Sequence, residues 1–175
     1  MHLRLISLLV TLLLVGCMKS VYTDYDQQYS YNDIQSFEIV AHPSSTPISL
    51  DDSRIKRAVE QELLLLGLTE ADSNPSVNVR YFIEPKTESV AYGPSFRFGY
   101  GFNRVGIGYE TPVRVEEREY GQLVVEMVDP RTNQVIWRAV SKRKLTDSMT
   151  PSSKNAFIQE QVKEMFKQFP PEKNT

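Results

Sequence analysis

Residues 121–139, with the sequence GQLVVEMVDPRTNQVIWRA, decide the fold of this chain. Leu123, Val125 and Met127 alternate with their neighbours before a turn-forming segment, and Val135, Trp137 and Ala139 alternate after it. A period of two residues is typical of β-strands with one buried face. Between the two runs, residues 129–133 combine Asp, Pro and Asn, which accept turn hydrogen bonds, preset φ and tolerate the left-handed region. The stretch therefore predicts an antiparallel hairpin, with the single tryptophan in the core rather than stacked on a ligand.

Other strands are predicted from the same alternation. They cover residues 36–41, a longer run at 77–84 that ends or becomes an edge at Pro85, and a charged run at 111–120. Residues 17–35 are polar and rich in tyrosine, and we interpret them as a linker that leads into the domain and docks on it in part.

Two segments have the apolar spacing of amphipathic helices. The first begins with Asp51 or Asp52 as N-cap and ends at Gly67, a residue that adopts the left-handed conformation without strain. The second begins near Ser152 or Ser153 and ends at Pro170. The apolar stripe of the first comprises Ile55, Ala58, Val59, Leu63 and Leu66, widened by Leu64 and Leu65, and that of the second comprises Ile158, Val162, Met165, Phe166 and Phe169.

These elements predict an α+β fold: a two-layer sandwich of a mostly antiparallel sheet with two helices packed on one face. We expect a single domain at 36–170, followed by a short tail at 171–175. An insert at 92–109 interrupts the order of strands and holds five of the eight glycines.

The insert has a regular pattern. If Asn103-Arg104 forms a two-residue turn, Phe102 pairs with Val105, Tyr100 with Ile107 and Phe98 with Tyr109, all on one face. The reverse face then pairs Gly101 with Gly106 and Gly99 with Gly108, and Arg97 with Glu110 as an ion pair. The pattern predicts a Gly/aromatic hairpin, and the alternative is a mobile loop. The surface expected to bind a partner is formed by Phe98, Tyr100, Phe102, Val105, Ile107 and Tyr109.

The amino-terminal segment resembles a bacterial lipoprotein signal peptide. Arg4 precedes an apolar run at 5–15 that is too short to span a bilayer, and Gly16 stands directly before Cys17, the only cysteine. The resemblance to a lipobox implies cleavage between Gly16 and Cys17, lipid transfer to the Cys17 thiol and acylation of the new amino terminus. Two or three acyl chains hold a protein on a membrane permanently. Under the sorting rule of enteric-type bacteria, Met18 favours the outer membrane.

Composition excludes several classes of function. Removal of residues 1–16 leaves 19 basic against 22 acidic residues, a formal charge of −3, which does not suit a nucleic-acid partner. The mature chain also lacks the side chains needed for a nucleophilic triad or a zinc site. His42 is its one histidine, and Cys17 is expected to carry lipid. The glycine spacing matches neither phosphate-binding loop. Glu117 and Glu119 share a strand face, but the neighbouring arginines indicate a strand surface with ion pairs rather than an acid/base pair. We therefore expect no catalytic residue, metal or cofactor.

One further charged segment, 142–144 with the sequence KRK, closes the last strand of the central hairpin. It is interpreted as a solvated strand end, with contact to anionic lipid head groups or lipopolysaccharide as the functional alternative.

Several segments together resemble a family of bacterial lipoproteins grouped as a domain of unknown function, DUF4136. The resemblance rests on the lipobox, the helix motif IKRAV at 55–59 that leads to Gly67, Asn74-Pro75 before a strand, and GQLVV at 121–125 followed by VIWR at 135–138. It covers nearly all of the mature chain, and members of the family carry a Gly/Tyr-rich insert at the position of 92–109. The family has no established activity, so the resemblance implies no catalytic residue.

The sequence therefore predicts a non-catalytic binding or structural component of the cell envelope. It would be anchored in the outer membrane on the periplasmic side, and its expected partner is an envelope protein or glycan. The alternatives are a carboxylate-dependent envelope hydrolase, which needs a cleft with two acids, and a carrier of an apolar ligand, which needs an enclosed apolar pocket.

Overall fold

The computed structural model describes residues 20–40, 49–93, 97–102, 105–110 and 114–171. Within these ranges, eight strands form two sheets, and two helices pack on the larger one. The helices are α1 (Leu50–Leu65) and α2 (Pro151–Phe166). The strands are β1 (Val21–Tyr25), β2 (Ser36–Ile39), β3 (Thr69–Glu70), β4 (Val77–Tyr92), β5 (Arg97–Phe102), β6 (Val105–Glu110), β7 (Arg114–Asp129) and β8 (Gln134–Ser141).

The larger sheet has six strands in the order β1-β8-β7-β4-β2-β3. The first four strands pair with one another in antiparallel fashion, whereas β2 runs parallel to both β4 and β3. The smaller sheet is the β5–β6 pair. This architecture confirms the predicted fold class, a two-layer α+β sandwich with a mostly antiparallel sheet.

The core lies between the helices and one face of the sheet. Alternate residues of the three central strands face it, and all of the predicted stripe of α2 is buried against them. Trp137 is fully buried, with its ring 5.6 Å from that of Phe166 and 5.5 Å from that of Phe169. The prediction that the tryptophan is a core residue is therefore confirmed.

Helix α1 is delimited at both ends by its sequence. Its N-cap is Ser49, which precedes the predicted Asp51 and Asp52 by two and three residues. The hydroxyl of Ser49 accepts from the Asp52 amide, and the Asp52 carboxylate accepts from the Ser49 amide. At the other end Gly67 adopts φ +84°, and the amides of Gly67 and Leu68 donate to the carbonyls of Leu64 and Leu63. The predicted stop at Gly67 is confirmed.

The apolar stripe of α1 is narrower than the sequence suggests. Ile55, Ala58, Val59 and Leu63 are buried, but Leu64, Leu65 and Leu66 are 51%, 71% and 40% exposed. The prediction that the sheet covers these three leucines is wrong, because Leu63 and Leu68 fill the core at this end of the helix and the three leucines between them remain at the surface.

The central β7–β8 hairpin pairs Met127 with Trp137 and Val125 with Ala139, as its alternation predicts. A β-bulge then shifts the register, so that Val128 pairs with Val135 and Ile136 is the extra residue. Ile136 is consequently buried and Val135 is 42% exposed. The prediction that Val135 shares the core face with Trp137 is corrected by this bulge.

The predicted linker at 17–35 is also corrected for the part that the structure describes. Strand β1 is the edge strand beside β8, with Val21 paired to Ser141 and Tyr25 paired to Trp137. The Tyr31 hydroxyl lies 2.5 Å from the Ile136 carbonyl oxygen, and its ring packs against Phe169 at 6.0 Å. The domain therefore begins at Val21, because backbone pairing and tyrosine packing tie this polar segment to the sheet.

Strands β4 and β7 are longer than predicted and extend past the sheet as a two-stranded ribbon. The pairing continues from Pro85 with Gly121 to Tyr92 with Arg114. Pro85 does not end β4, because β2 pairs only with residues 77–79 and leaves β4 an edge strand at Pro85, where proline is tolerated. We call residues 85–92 and 114–121 the ribbon.

The two ends of the large sheet differ. At the ribbon end, β1 begins, β8 ends and the ribbon leaves the domain. At the opposite end, the turn end, lie the β7–β8 turn at 130–133 and the segments that precede β2 and β4. Both definitions follow from the antiparallel pairing of β1, β8, β7 and β4.

Gly121 holds the base of the ribbon, and its replacement by alanine is expected to destabilise the protein. Its amide and carbonyl pair with Leu145 at 2.8 and 2.9 Å, and a Cβ at this position would lie 2.4 Å from Cγ2 of Ile83. We expect Gly121→Ala to lower the free energy of unfolding by about 1–3 kcal/mol, the usual cost of overpacking. Urea unfolding followed by circular dichroism measures this change.

The exposed Glu119→Ala provides the control and should change stability by less than about 0.5 kcal/mol. In an Ile83→Ala background the same glycine replacement should cost less, because the clashing methyl is gone. Equal costs in the two backgrounds would contradict the assigned clash.

Candidate functional site

The Gly/aromatic hairpin has the predicted register. Phe102 pairs with Val105, Tyr100 with Ile107 and Phe98 with Tyr109, and the intervening glycines pair with each other. Arg97 pairs with Glu110 at the open end. Because residues two apart share a face of a strand, the six predicted partner-binding positions lie on one face of this two-stranded sheet. The predicted turn at Asn103-Arg104 lies outside the described residues.

The ribbon carries the hairpin away from the core. Residues 114–119 are exposed on both faces of β7, and Val115 is 60% exposed. Glu117 and Glu119 pair with Ser89 and Thr87 of β4 and stay at the surface. Both acids therefore lie on the exposed surface of the ribbon.

The basic segment 142–144 is largely neutralised where it follows β8. Arg143 donates to Glu160 at 2.6 Å, and Lys144 forms an ion pair with Glu88 of the ribbon. Lys142 instead lies over the ring of Tyr22, 4.3 Å from the ring centroid. Two of the three cations thus hold parts of the domain together, and the third is paired with an aromatic ring.

A polar cleft of about 450 Å³ opens at the turn end of the sheet. Three segments far apart in sequence form it: the stretch after β1, the turn before β4 and the β7–β8 turn. Its lining includes Gln28, Tyr29, Asp33, Asn74, Pro130 and Arg131. The sequence did not predict this cleft. Its only signal among the lining residues was Asn74, a turn residue that adopts positive φ, as does Asn133 in the neighbouring β7–β8 turn.

Asp129 fixes the cationic wall of the polar cleft. Its carboxylate accepts from the Arg131 backbone amide at 2.8 Å and from the guanidinium at 3.1 and 3.3 Å. Hydrogen bonding to Arg131 lowers the pKa of Asp129, and the same contact raises the pKa of Arg131. Burial, with the Asp129 charge, raises the pKa of Tyr29. The cleft therefore presents a permanent cation and a neutral phenol rather than a proton donor poised near neutral pH.

A second, shallower groove of about 440 Å³ contains three carboxylates: Asp24, Asp26 and Glu126. This is the one arrangement described here that resembles the acidic cleft a hydrolase would need. However, Glu126 is buried between two arginines, with Arg80 at 3.4 Å and Arg138 in direct hydrogen-bond contact. Both carboxylate oxygens of Glu126 are therefore occupied by arginine contacts, which suits a structural role and leaves neither oxygen free for a substrate.

Gly16, Cys17, Met18 and His42 lie outside the described residues. Within the part of the chain that the structure covers, no group of three His, Cys, Asp or Glu side chains could hold a metal ion. Over the same residues, no helix combines the length and apolar character required to cross a bilayer.

The fold and these surfaces define a class of protein: a single two-layer α+β domain with a long β-ribbon inserted between its central strands. The family model described as "Domain of unknown function (DUF4136)" matches residues 21–171. The chain belongs to this family, as the resemblance of its motifs predicted. The match begins at the first residue of β1, which agrees with the inclusion of that strand in the domain.

Solved structures include several similar folds. A PDZ domain protein from Parabacteroides distasonis is 14% identical with a TM-score of 0.58, and the match covers 87% of this chain and 36% of that one. The chain thus spans about a third of that protein, and the likeness shows the fold alone. The PelC dodecamer from Paraburkholderia phytofirmans (12% identity, TM-score 0.45) covers 85% of this chain and 95% of its own.

A minor lipoprotein from Acinetobacter baumannii is 10% identical with a TM-score of 0.35, and the match covers 77% of this chain and 91% of that one. The likeness to this protein and to PelC is too weak to support an argument about this chain. A search of curated protein sequences finds no match.

Tyr31, which ties the segment after β1 to the core, is expected to make stability depend on alkaline pH. Burial is the main cause that raises its pKa from 10.0 to about 12. The folded state therefore keeps this proton after the unfolded state has lost it, so the contribution is complete below pH 10 and is lost as pH rises to 12. Two pKa units correspond to about 2–3 kcal/mol. Tyr31→Phe should remove this part of the decline.

Urea unfolding of both proteins at pH 9 and pH 11.5 measures the effect. Tyr29 and Tyr81 also have raised pKa values and remain in both proteins, so the difference between the two declines isolates Tyr31. Parallel declines would show that Tyr31 titrates equally in the folded and unfolded states.

Proposed function

We propose that this protein is a periplasmic lipoprotein, anchored in the outer membrane through Cys17, that acts as a non-catalytic binding or structural component of the cell envelope. The lipobox-like segment supports the anchor, and Met18 supports the outer membrane. The hairpin at the end of the ribbon supports a binding role. The partner is an envelope protein or glycan.

The observation that carries the proposal is the register of the β5–β6 hairpin. It places three pairs of large apolar or aromatic residues opposite one another on one face and paired glycines on the other. Within the described residues, the hairpin strands approach no other element of the domain. Six large residues at positions that share one face of a two-stranded sheet are typical of a surface that a partner covers.

The charges of the described domain support binding rather than catalysis. Its buried carboxylates, Glu126 and Asp129, are both held by arginines, which suits structural roles. The interior between the helices and the sheet is filled by Trp137, Phe166 and Phe169, which does not favour a carrier of an apolar ligand. The carboxylate groove keeps a hydrolase as the alternative, with Asp24 and Asp26 as its exposed acids.

Cys17→Ser is expected to release the protein from the membrane. A hydroxyl does not replace the thiol in thioether formation, and without acyl chains the domain has no permanent hold on lipid. Fractionation of native cells, with mass spectrometry of the purified protein, follows both the location and the acyl mass. The exposed Thr132→Ser is the matched control and should remain acylated in the outer-membrane fraction.

An intact start methionine without acyl mass in the wild-type protein would refute the anchor. Acylated protein found in the inner membrane would refute only the proposed location.

Alanine at Tyr100, Phe102 and Ile107 is expected to abolish partner capture. These residues hold the middle and tip of the proposed binding face, and buried aromatic anchors contribute most of the energy of an interface. A photo-crosslinking amino acid at Phe98 in native cells should yield one dominant adduct, and the triple replacement should remove it. The same crosslinker at Thr87, on the ribbon, is the positional control.

As the substitution control, Glu116→Ala, Glu117→Ala and Glu119→Ala together leave the hairpin unchanged and should preserve the adduct. An adduct that survives the hairpin replacement at full yield would refute this binding face. The hairpin contributes nothing to the described core, so each variant should keep the melting temperature of the wild-type protein. A melt followed by circular dichroism checks this and excludes loss of fold as the cause.

A further inference from the structure

We propose that the ribbon end of the sheet rests on the phospholipid surface that holds the lipid anchor, with Tyr22 and Lys142 in contact with lipid head groups. This inference depends on the proposed acylation of Cys17. It assigns an orientation to the domain and a lipid-contacting function to a corner of the sheet.

The first argument is the length of the tether. Only residues 18–20 separate the acylated position from β1, and Ser20 is already held, because its carbonyl accepts from the Lys142 amide at 2.9 Å. Three Cα–Cα steps span at most about 11 Å. The corner formed by the start of β1 and the end of β8 therefore cannot move far from the bilayer surface, whatever path the tether takes.

The second argument is the chemistry of that corner. Tyr22 is 67% exposed, and the Lys142 ammonium lies over its ring. Among the described residues Lys142 has no carboxylate partner, in contrast to Arg143 and Lys144, which are paired with Glu160 and Glu88. An exposed tyrosine beside a lysine that has no carboxylate partner is a combination found at membrane interfaces, where the ring lies at head-group level and the ammonium meets phosphate.

The third argument is the direction of the ribbon. It leaves the sheet at this same end and continues for eight paired residues on each strand, about 26 Å at the usual rise of a β-strand. Charged residues such as Lys86, Glu116 and Arg118 keep it out of the hydrocarbon layer. The ribbon therefore leaves the domain on its membrane side and stays outside the hydrocarbon layer, within reach of a partner held by the same membrane.

The orientation has a consequence for the opposite end of the domain. The polar cleft with Arg131, and the exposed leucines at the end of α1, lie at or near the turn end and face away from the bilayer. The two ends of one sheet thus meet different environments, lipid at one end and the periplasm at the other.

Fluorescence quenching in reconstituted vesicles tests the orientation. Cys17 is the only cysteine, and its thiol is consumed by lipid, so one introduced cysteine is the only thiol available for a dye. Acylated full-length protein labelled at Tyr22→Cys or Thr132→Cys is placed in vesicles of phosphatidylethanolamine and phosphatidylglycerol that contain a lipid with a nitroxide on its head group. We expect loss of fluorescence at position 22 and none at position 132, in the β7–β8 turn.

The charge of Lys142 is tested in the same vesicles. Lys142→Glu should reduce the quenching at position 22, because it places a negative charge against phosphatidylglycerol. Lys163→Glu, at an exposed position on α2, is the matched control and should leave the quenching unchanged.

The outcomes separate the two proposals. Acylated protein with equal quenching at both positions, or with none at position 22, would overturn the orientation and leave the anchor intact. Protein without acyl mass would overturn the anchor, and the orientation with it. Quenching at position 22 that is equally sensitive to both lysine replacements would overturn the role of Lys142.

Discussion

The antiparallel pairing of β4 with β7 is the constraint on which the rest of the structure depends. One continuous ladder runs from Asn78 and Val128, in the middle of the sheet, to Tyr92 and Arg114, far outside it. Its inner half is stabilised by residues such as Val79, Val125 and Met127, which are fully buried against the helices. Its outer half has no such burial and is held by backbone hydrogen bonds and surface pairs. A two-stranded ribbon is marginal in water by itself, so the buried half determines the register of the exposed half.

The sequence predicted the elements in which one strong pattern acts alone. The β7–β8 hairpin follows from alternation around a turn segment, and the β5–β6 register follows from the opposite parity of aromatic residues and glycines. Predictions failed where tertiary context overrides the local pattern. Strand β1 was not predicted, because its Tyr22 and Asp24 are exposed and its apolar alternation is weak. An edge strand at the margin of the core needs only one or two buried residues, such as Val21. The bulge at Ile136 inverts the expected positions of Val135 and Ile136, and no local signal in the sequence marks it.

The candidate sites were predicted unevenly for the same reason. The hairpin residues are close in sequence, so their pairing could be worked out from parity. The polar cleft brings together Tyr29, Asn74 and Arg131 from three separate segments, and only the folded sheet makes them neighbours. The sequence likewise could not show that Glu126 lies between Arg80 and Arg138, since the three residues come from three strands. In the sequence, Lys144 belongs to a basic segment with no evident partner. In the structure it forms an ion pair with Glu88 of the ribbon.

The same ladder connects the proposed anchor to the proposed binding surface. A lipid attached to a flexible linker would let the domain rotate freely, and the hairpin would then sample a wide volume. Here the chain enters the sheet at Val21, and β1, β8, β7 and β4 are hydrogen-bonded in series, so a restraint on the first strand is transmitted to the ribbon. Restricting the hairpin to a layer near the membrane raises its effective concentration toward a partner held in that layer. A modest hairpin surface can then support lasting attachment, because the lipid and the partner contact act together on one rigid sheet.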